Sequence, residues 1–106
     1  PLKTMLLDRD YRWVLARASG NRLPLARVCV VAGRALGNAV LRNRLRRRLR
    51  AAYRLQKATL PGGYDLVLLA RRGVDSASFD DLCRDLRSAV LRAVTECQSR
   101  SPEPRS

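Results

Sequence analysis

The sequence is most easily characterised by what it lacks. It has no histidine, no Cys-x-x-Cys pair, no P-loop and no Gly-x-Ser-x-Gly motif. Without these it lacks the commonest general base, the usual zinc ligands and two common catalytic loops. We therefore expect no catalytic residues and no metal site in the protein itself. No apolar run approaches the ~20 residues that span a bilayer, and no signal peptide is visible.

Three further features bound the class of protein. At 106 residues and 46% hydrophobic composition, the chain predicts one modest globular domain over residues 1–98. The polar, proline-containing residues 99–106 predict a disordered tail. Cys29, Cys83 and Cys97 fall at apolar positions of predicted elements, so we expect buried, reduced thiols in a cytoplasmic protein. We also expect an initiator methionine or a few residues to precede Pro1.

The charge is abundant and unevenly distributed. Residues 1–57 hold 15 basic and 2 acidic residues, a net charge of +13, whereas residues 58–106 hold 7 of each, a net charge of 0. An arginine-rich codon bias would explain the ratio of 20 Arg to 2 Lys but not this segregation. A basic half-chain is typical of a surface that binds nucleic acid.

The spacing of apolar residues predicts five elements. Tyr11, Val14, Leu15 and Ala18 have the spacing of a short helix over residues 8–18. The β-branched run 27–32 predicts a buried strand, and the apolar run 64–70 predicts a central one. The last helix is predicted to follow Ser78 as its cap and to bury an apolar stripe from Phe79 to Cys97. Its acidic group, Asp80, Asp81 and Asp85, is better explained by the helix dipole than by a metal ion.

The most basic element is a helix predicted from about Asn38 to Gln56. On a helical wheel its apolar residues share one arc, namely Leu41, Leu45, Leu49, Ala52 and Tyr53. The other side carries arginines, and no acidic residue lies between Arg27 and Lys57 to pair with them. Such a helix repels itself unless a polyanion lies against it, so RNA or DNA is the expected partner.

An ordered motif lies within this basic segment. It reads Gly37-Asn38-Ala39-Val40-x-Arg42-Asn43-Arg44-x-Arg46-Arg47-x-x-Arg50, followed by an aromatic residue at Tyr53. In this pattern, and in the Ala70-Arg71 strand end, the chain resembles the bacterial ribonuclease P protein subunit over about residues 2–97. The resemblance implies a holoenzyme that removes the 5′ leader of precursor tRNA, in which a catalytic RNA and its Mg²⁺ ions perform the chemistry.

The resemblance also implies a fold and two binding surfaces. The fold would be α+β, a small two-layer sandwich of a type shared with a ribosomal protein domain, in the order α-β(s)-α-β-α, with one or more strands after the first helix and a left-handed βαβ crossover. The catalytic RNA would contact Arg34, Asn38, Arg42, Asn43, Arg44, Arg46, Arg47 and Arg50. A cleft between the first helix and the sheet would receive the leader, with Tyr11, Leu15 and Trp13 beside it. Tyr11 and Leu15 are equally consistent with core positions.

The chain departs from the family in one region. Only Leu23-Pro24-Leu25-Ala26 remains where family members have a strand and a loop, so we expect one strand to be shortened or absent. The partners implied are the catalytic RNA and precursor tRNA, with no membrane and a monomeric protein; dimerisation of the holoenzyme stays open. Two alternatives are a non-enzymatic RNA-binding or RNA-chaperone module associated with the ribosome and, less favoured, a helix-turn-helix protein.

Overall fold

The computed structural model describes residues 13–99 in full and the backbone of Arg100. The elements are β1 (Val14–Gly20), β2 (Arg27–Val31), α1 (Ala39–Gln56), β3 (Tyr64–Ala70) and α2 (Phe79–Arg100), joined in part by single 3₁₀ turns. No described helix is long and apolar enough to cross a membrane.

The three strands form one sheet in the order β1-β3-β2. β1 runs antiparallel to β3, with Val14 opposite Ala70, and β2 runs parallel to β3, with Arg27 opposite Asp65. α1 is therefore the crossover that connects the two parallel strands. The central position predicted for β3 is confirmed, and the left-handedness of the crossover stays a prediction.

Both helices cover the same face of the sheet. α2 packs on β1, while α1 packs beside α2 and against β2 and β3. Successive side chains of a strand alternate between faces, so each strand contributes every second residue to this core. Fully buried side chains from all layers meet there, among them Val14, Leu45, Leu49, Leu66, Leu68, Leu82, Leu86 and Val90. The α+β, two-layer architecture expected from the sequence is confirmed.

The helix predicted over residues 8–18 is wrong where the structure describes it. Val14 begins β1, in which Val14 and Ala16 are buried and Leu15, between them, faces away from the helices. Seven successive pairings with β3 hold this segment extended. Residues 8–12 of the predicted helix lie outside the described residues.

One strand was expected to be shortened or absent before Arg27, and the expected absence is wrong. This strand is β1, and its residues 14–18 are ones that the helical spacing had assigned to the predicted first helix. Leu23-Pro24-Leu25-Ala26 lies in the loop that joins β1 to β2. This loop is fastened to the β3 side, because the Asn21 N–H donates to the Gly63 carbonyl at 3.0 Å and Gly63 N–H donates to Leu25 at 3.2 Å.

The cysteines are free, as expected, but they are not all buried. Cys29 is exposed, and Cys83 and Cys97 are half-buried. Cys29 lies on the side of β2 that faces away from the helices, so the expectations of a buried strand and a buried Cys29 are wrong on this face. Burial raises the pKa of the Cys83 thiol, which keeps that thiol in its unreactive protonated form.

The predicted bounds of the two long helices are largely confirmed. α1 ends at Gln56 as expected, and the hydroxyl of Ser78 accepts the Asp81 N–H at 3.1 Å at the start of α2. α2 continues through Arg100, so the predicted tail is wrong in its first two residues. Residues 101–106 lie outside the described part of the chain.

A buried carboxylate joins α2 to the start of β1. One Asp85 oxygen accepts the N–H groups of both Trp13 and Val14 at 2.8 Å, and the residue is 7% exposed. The Arg71 N–H donates to the Trp13 carbonyl at 2.9 Å. Asp85, grouped by sequence with the acidic first turn of the helix, thus holds the first residues of β1 in place.

Asp85→Ala is expected to destabilise the protein by about 2–4 kcal/mol, because it leaves two backbone N–H groups without their charged acceptor. Urea denaturation provides the measurement. Glu96→Ala removes an exposed carboxylate from the same helix and should change the free energy of unfolding by less than about 0.5 kcal/mol. Equal losses in the two variants would contradict the role assigned to Asp85.

Candidate nucleic-acid interface

The start of α1 is fixed by two adjacent residues. Gly37 has a φ of 141°, and a Cβ there would lie 2.7 Å from the Leu41 side chain. Asn38 is the cap: its side-chain oxygen accepts the Leu41 N–H at 2.9 Å. The Gly37-Asn38 part of the motif therefore has a structural explanation. A contact between Asn38 and RNA stays a prediction.

Past this cap, α1 carries seven arginines and no acidic residue. Its buried residues are Leu45, Leu49, Ala52 and Tyr53, which confirms the predicted apolar arc; Leu41 is half-buried. The exposed side presents Asn43, Arg44, Arg47, Arg50 and Arg54, and Arg34 is exposed in the 3₁₀ turn just before the helix. Most of the residues predicted to bind RNA thus lie together on one surface, which we call the arginine face.

Three arginines of α1 lie at the flanks of its buried strip. Arg48 donates hydrogen bonds to the carbonyls of Val74, at 3.3 Å, and Ala77, at 2.7 Å. Arg42 and Arg46 are half-buried, and the Arg42 Nε is buried without a hydrogen-bond partner in the described part of the chain. Arg48 thus ties α1 to the turn before α2, and it has a structural role that sequence spacing alone did not reveal.

The arginine face has no counter-charge within the described residues. The salt bridge found among the described residues joins Arg27 to Asp65 at 2.8 Å; it lies on the sheet and involves no residue of α1. Seven like charges on one helix raise the local potential and favour an anionic partner. Guanidinium groups bind phosphate oxygens bidentately, so a nucleic-acid backbone fits this face chemically.

A second surface is the side of the sheet that neither described helix covers, which we call the outer face. Its rows run across the three strands and include Leu15, Leu69 and Val31; Arg17, Val67 and Cys29; and Ser19, Asp65 and Arg27. Two rows are largely apolar and the third is charged. Sequence reasoning missed this surface because the apolar runs at 27–32 and 64–70 were interpreted only as a buried strand and a central strand.

The charged residues of the outer face bind one another. Arg27 donates two hydrogen bonds of 2.8 Å to the Asp65 carboxylate, and the Asn21 amide donates a third at 3.0 Å. The hydrogen bonds from Arg27 and then Asn21 lower the pKa of Asp65 to about 2. Asp65 is therefore ionised at neutral pH but offset by Arg27.

The residues predicted to line the leader cleft are divided by the structure. Leu15 is half-buried on the outer face, Trp13 packs against the core beside Gly73, and Tyr11 lies outside the described residues. The expectation that a first helix presents Leu15 is wrong, because Leu15 belongs to β1. On the outer face, Leu15 nevertheless lies in a row with two other apolar residues, the half-buried Leu69 and the exposed Val31.

The fold and its arginine face define a small α+β protein with one strongly basic surface. A family model described as Ribonuclease P matches residues 8–94, and the chain belongs to this family. The resemblance inferred from the motif is thereby confirmed.

Individual members of the family are also similar to this chain in sequence. The chain is 44% identical over 72 residues to the ribonuclease P protein component of Kocuria rhizophila, a match that covers 68% of this chain and 64% of that protein. It is 39% identical over 95 residues to that of Chloroflexus aggregans, covering 85% of this chain and 70% of that protein. The chain thus spans less than two thirds of the Kocuria relative.

A solved structure has the same fold. The ribonuclease P protein from Thermotoga maritima superposes with a TM-score of 0.70 at 25% identity, covering 76% of each chain. Its likeness supports the two-layer arrangement described above.

Two adjacent arginines of α1, Arg47 and Arg48, should contribute differently to the free energy of unfolding. Arg48→Ala should lower the free energy of unfolding by about 1–3 kcal/mol, because it removes two charge-assisted hydrogen bonds. Arg47→Ala, at an exposed position of the same helix, should change it by less than about 0.5 kcal/mol. Denaturant unfolding measures both, and a comparable loss in Arg47→Ala would assign that residue a structural role.

Proposed function

We propose that this chain is the protein subunit of a ribonuclease P holoenzyme, in which it binds the catalytic RNA and the 5′ leader of precursor tRNA in the cytoplasm. The observation that carries the proposal is the unpaired arginine face of α1, built on the motif of the family to which the chain belongs. The protein supplies binding energy rather than a reacting group.

The arginine face is the surface proposed to hold the catalytic RNA. Its guanidinium groups would neutralise phosphates and release counterions, so the affinity should fall steeply with salt. Because Asn38 caps α1, and Arg48 and the buried strip hold the helix against the rest of the fold, these charges lie on a rigid element. A rigid array of charges selects one backbone path over others.

The outer face is the surface proposed to hold the leader. Its apolar rows can contact bases without reading their sequence, and Arg17 supplies an exposed charge for a phosphate. The Arg27–Asp65 pair closes one end of this surface to further anion binding, because both charges are already satisfied. A leader would then lie across the rows of Leu15 and Val67.

The chemistry is assigned to the RNA. Within the described residues no group of three His, Cys, Asp or Glu side chains is placed to hold a metal ion. Mg²⁺ bound to the catalytic RNA would activate the water that cuts the precursor. The protein's own residues would position the RNA and the leader relative to each other.

A cleavage assay tests the proposed function. A cognate bacterial ribonuclease P RNA is incubated with precursor tRNA at low Mg²⁺, with and without this protein. We expect the protein to stimulate cleavage and to cleave nothing by itself. Binding to the RNA without stimulation would instead favour a non-enzymatic RNA-binding module.

Leader binding has its own test on the outer face. Cys29→Glu places a negative charge at an exposed position of β2, and should weaken holoenzyme binding of leader-bearing precursor by about three- to tenfold through repulsion of phosphates. Binding of mature tRNA should not change. Ser88→Glu, an equal charge change on exposed α2, is the control. If Cys29→Glu affects precursor and mature tRNA equally, the leader does not cross this face.

A further inference from the structure

The arginine face contains two apolar side chains that the fold does not use. Val40 is 73% exposed and Leu55 is 72% exposed, which makes them the most exposed large hydrophobic residues of the described part of the chain. The next, Leu25, is 57% exposed and lies in a loop. A single exposed valine or leucine is unremarkable. Two of them at the ends of one charged helix face call for a common explanation.

Their spacing places them on one line with the arginines. Fifteen residues along an α-helix correspond to about 22 Å, and Val40 and Leu55 lie only about 60° apart around the helix axis. Arg44 and Ala51 fall within the sector between them, and Arg47 lies about 20° outside it on the side of Val40. The face is therefore a stripe of charge with an aliphatic side chain at each end.

Charge complementarity limits what can cover this stripe. A partner that buries Val40 and Leu55 must also neutralise the arginines between them, because no acidic residue of the described chain does so. An RNA backbone provides this charge. Aliphatic side chains gain nothing from phosphates, but they gain from bases that are not stacked in a helix.

We propose that Val40 and Leu55 contact unpaired nucleotides of the RNA at the two ends of the arginine face, and thereby favour a folded RNA over a uniform duplex. This inference rests on the proposed function, since it concerns the surface that holds the catalytic RNA. The arginines supply affinity that depends on salt. The two apolar residues supply selectivity that does not.

The experiment compares two RNAs over a series of KCl concentrations. Dissociation constants of the full chain are measured for a bacterial ribonuclease P RNA and for a duplex RNA of similar length. The variants are Val40→Thr, which keeps the shape of the side chain, and Leu55→Gln, which keeps its approximate length. Leu91→Gln is the matched control, because it makes the same substitution at an exposed leucine of α2.

We expect each α1 variant to bind the ribonuclease P RNA about three- to tenfold more weakly, the scale set by losing one buried aliphatic contact. Duplex binding and the salt dependence should match the unchanged chain, and Leu55→Met should restore binding. Arg44→Ala with Arg47→Ala should weaken binding to both RNAs and flatten the salt dependence. Thermal unfolding of every variant should stay near that of the unchanged chain.

The outcomes separate the inference from the function beneath it. If Val40→Thr and Leu55→Gln bind both RNAs like the unchanged chain while cleavage is stimulated, the inference is overturned and the proposed function stands. If both variants weaken duplex binding equally, the contacts are not with unpaired nucleotides and the inference also fails. If the unchanged chain neither prefers the ribonuclease P RNA nor stimulates cleavage, both proposals fail.

Discussion

The structure depends on the narrow apolar strip with which α1 packs into the core. Seven arginines at successive turns repel one another, and like charges four residues apart destabilise an isolated helix. Four buried residues, Leu45, Leu49, Ala52 and Tyr53, provide the contact that holds this helix in place. The cap at Asn38 and the bonds from Arg48 add to it without introducing an acidic residue. The fold thus tolerates a charge that no acidic residue of the described part of the chain neutralises.

One-sided packing follows from the same arrangement. Both helices cover one face of the three-stranded sheet, so Leu15, Val67 and Cys29 point away from the core. The arginine face and the outer face therefore lie on different layers of the molecule. Neither surface is covered by the element that carries the other.

The sequence predicted the elements whose patterns are long and failed where the pattern is short. α1 and α2 repeat their apolar spacing over many turns, and β3 is an uninterrupted apolar run. At Val14 to Ala18 the helical spacing and the strand alternation use the same residues, and only pairing with β3 decides between them. Cys29 was placed in the core because local sequence does not reveal that a sheet has a single covered face. The arginine face was predictable; the roles of Arg48 and Asp85 were not, since their partners are 26 or more residues away.

The uneven distribution of charge acquires a structural meaning. The neutral half of the chain forms the central strand β3 and the packing helix α2, whereas the basic half forms both edge strands and the exposed α1. Charge is thus kept at the periphery, where phosphates can reach it and solvent lowers the cost of repulsion. Asp65, the acidic residue of the outer face, is offset by Arg27 and so adds little repulsion towards a bound strand. A scaffold with a neutral centre and a basic periphery keeps its arginines out of the core, where the buried charged residue is the carboxylate of Asp85.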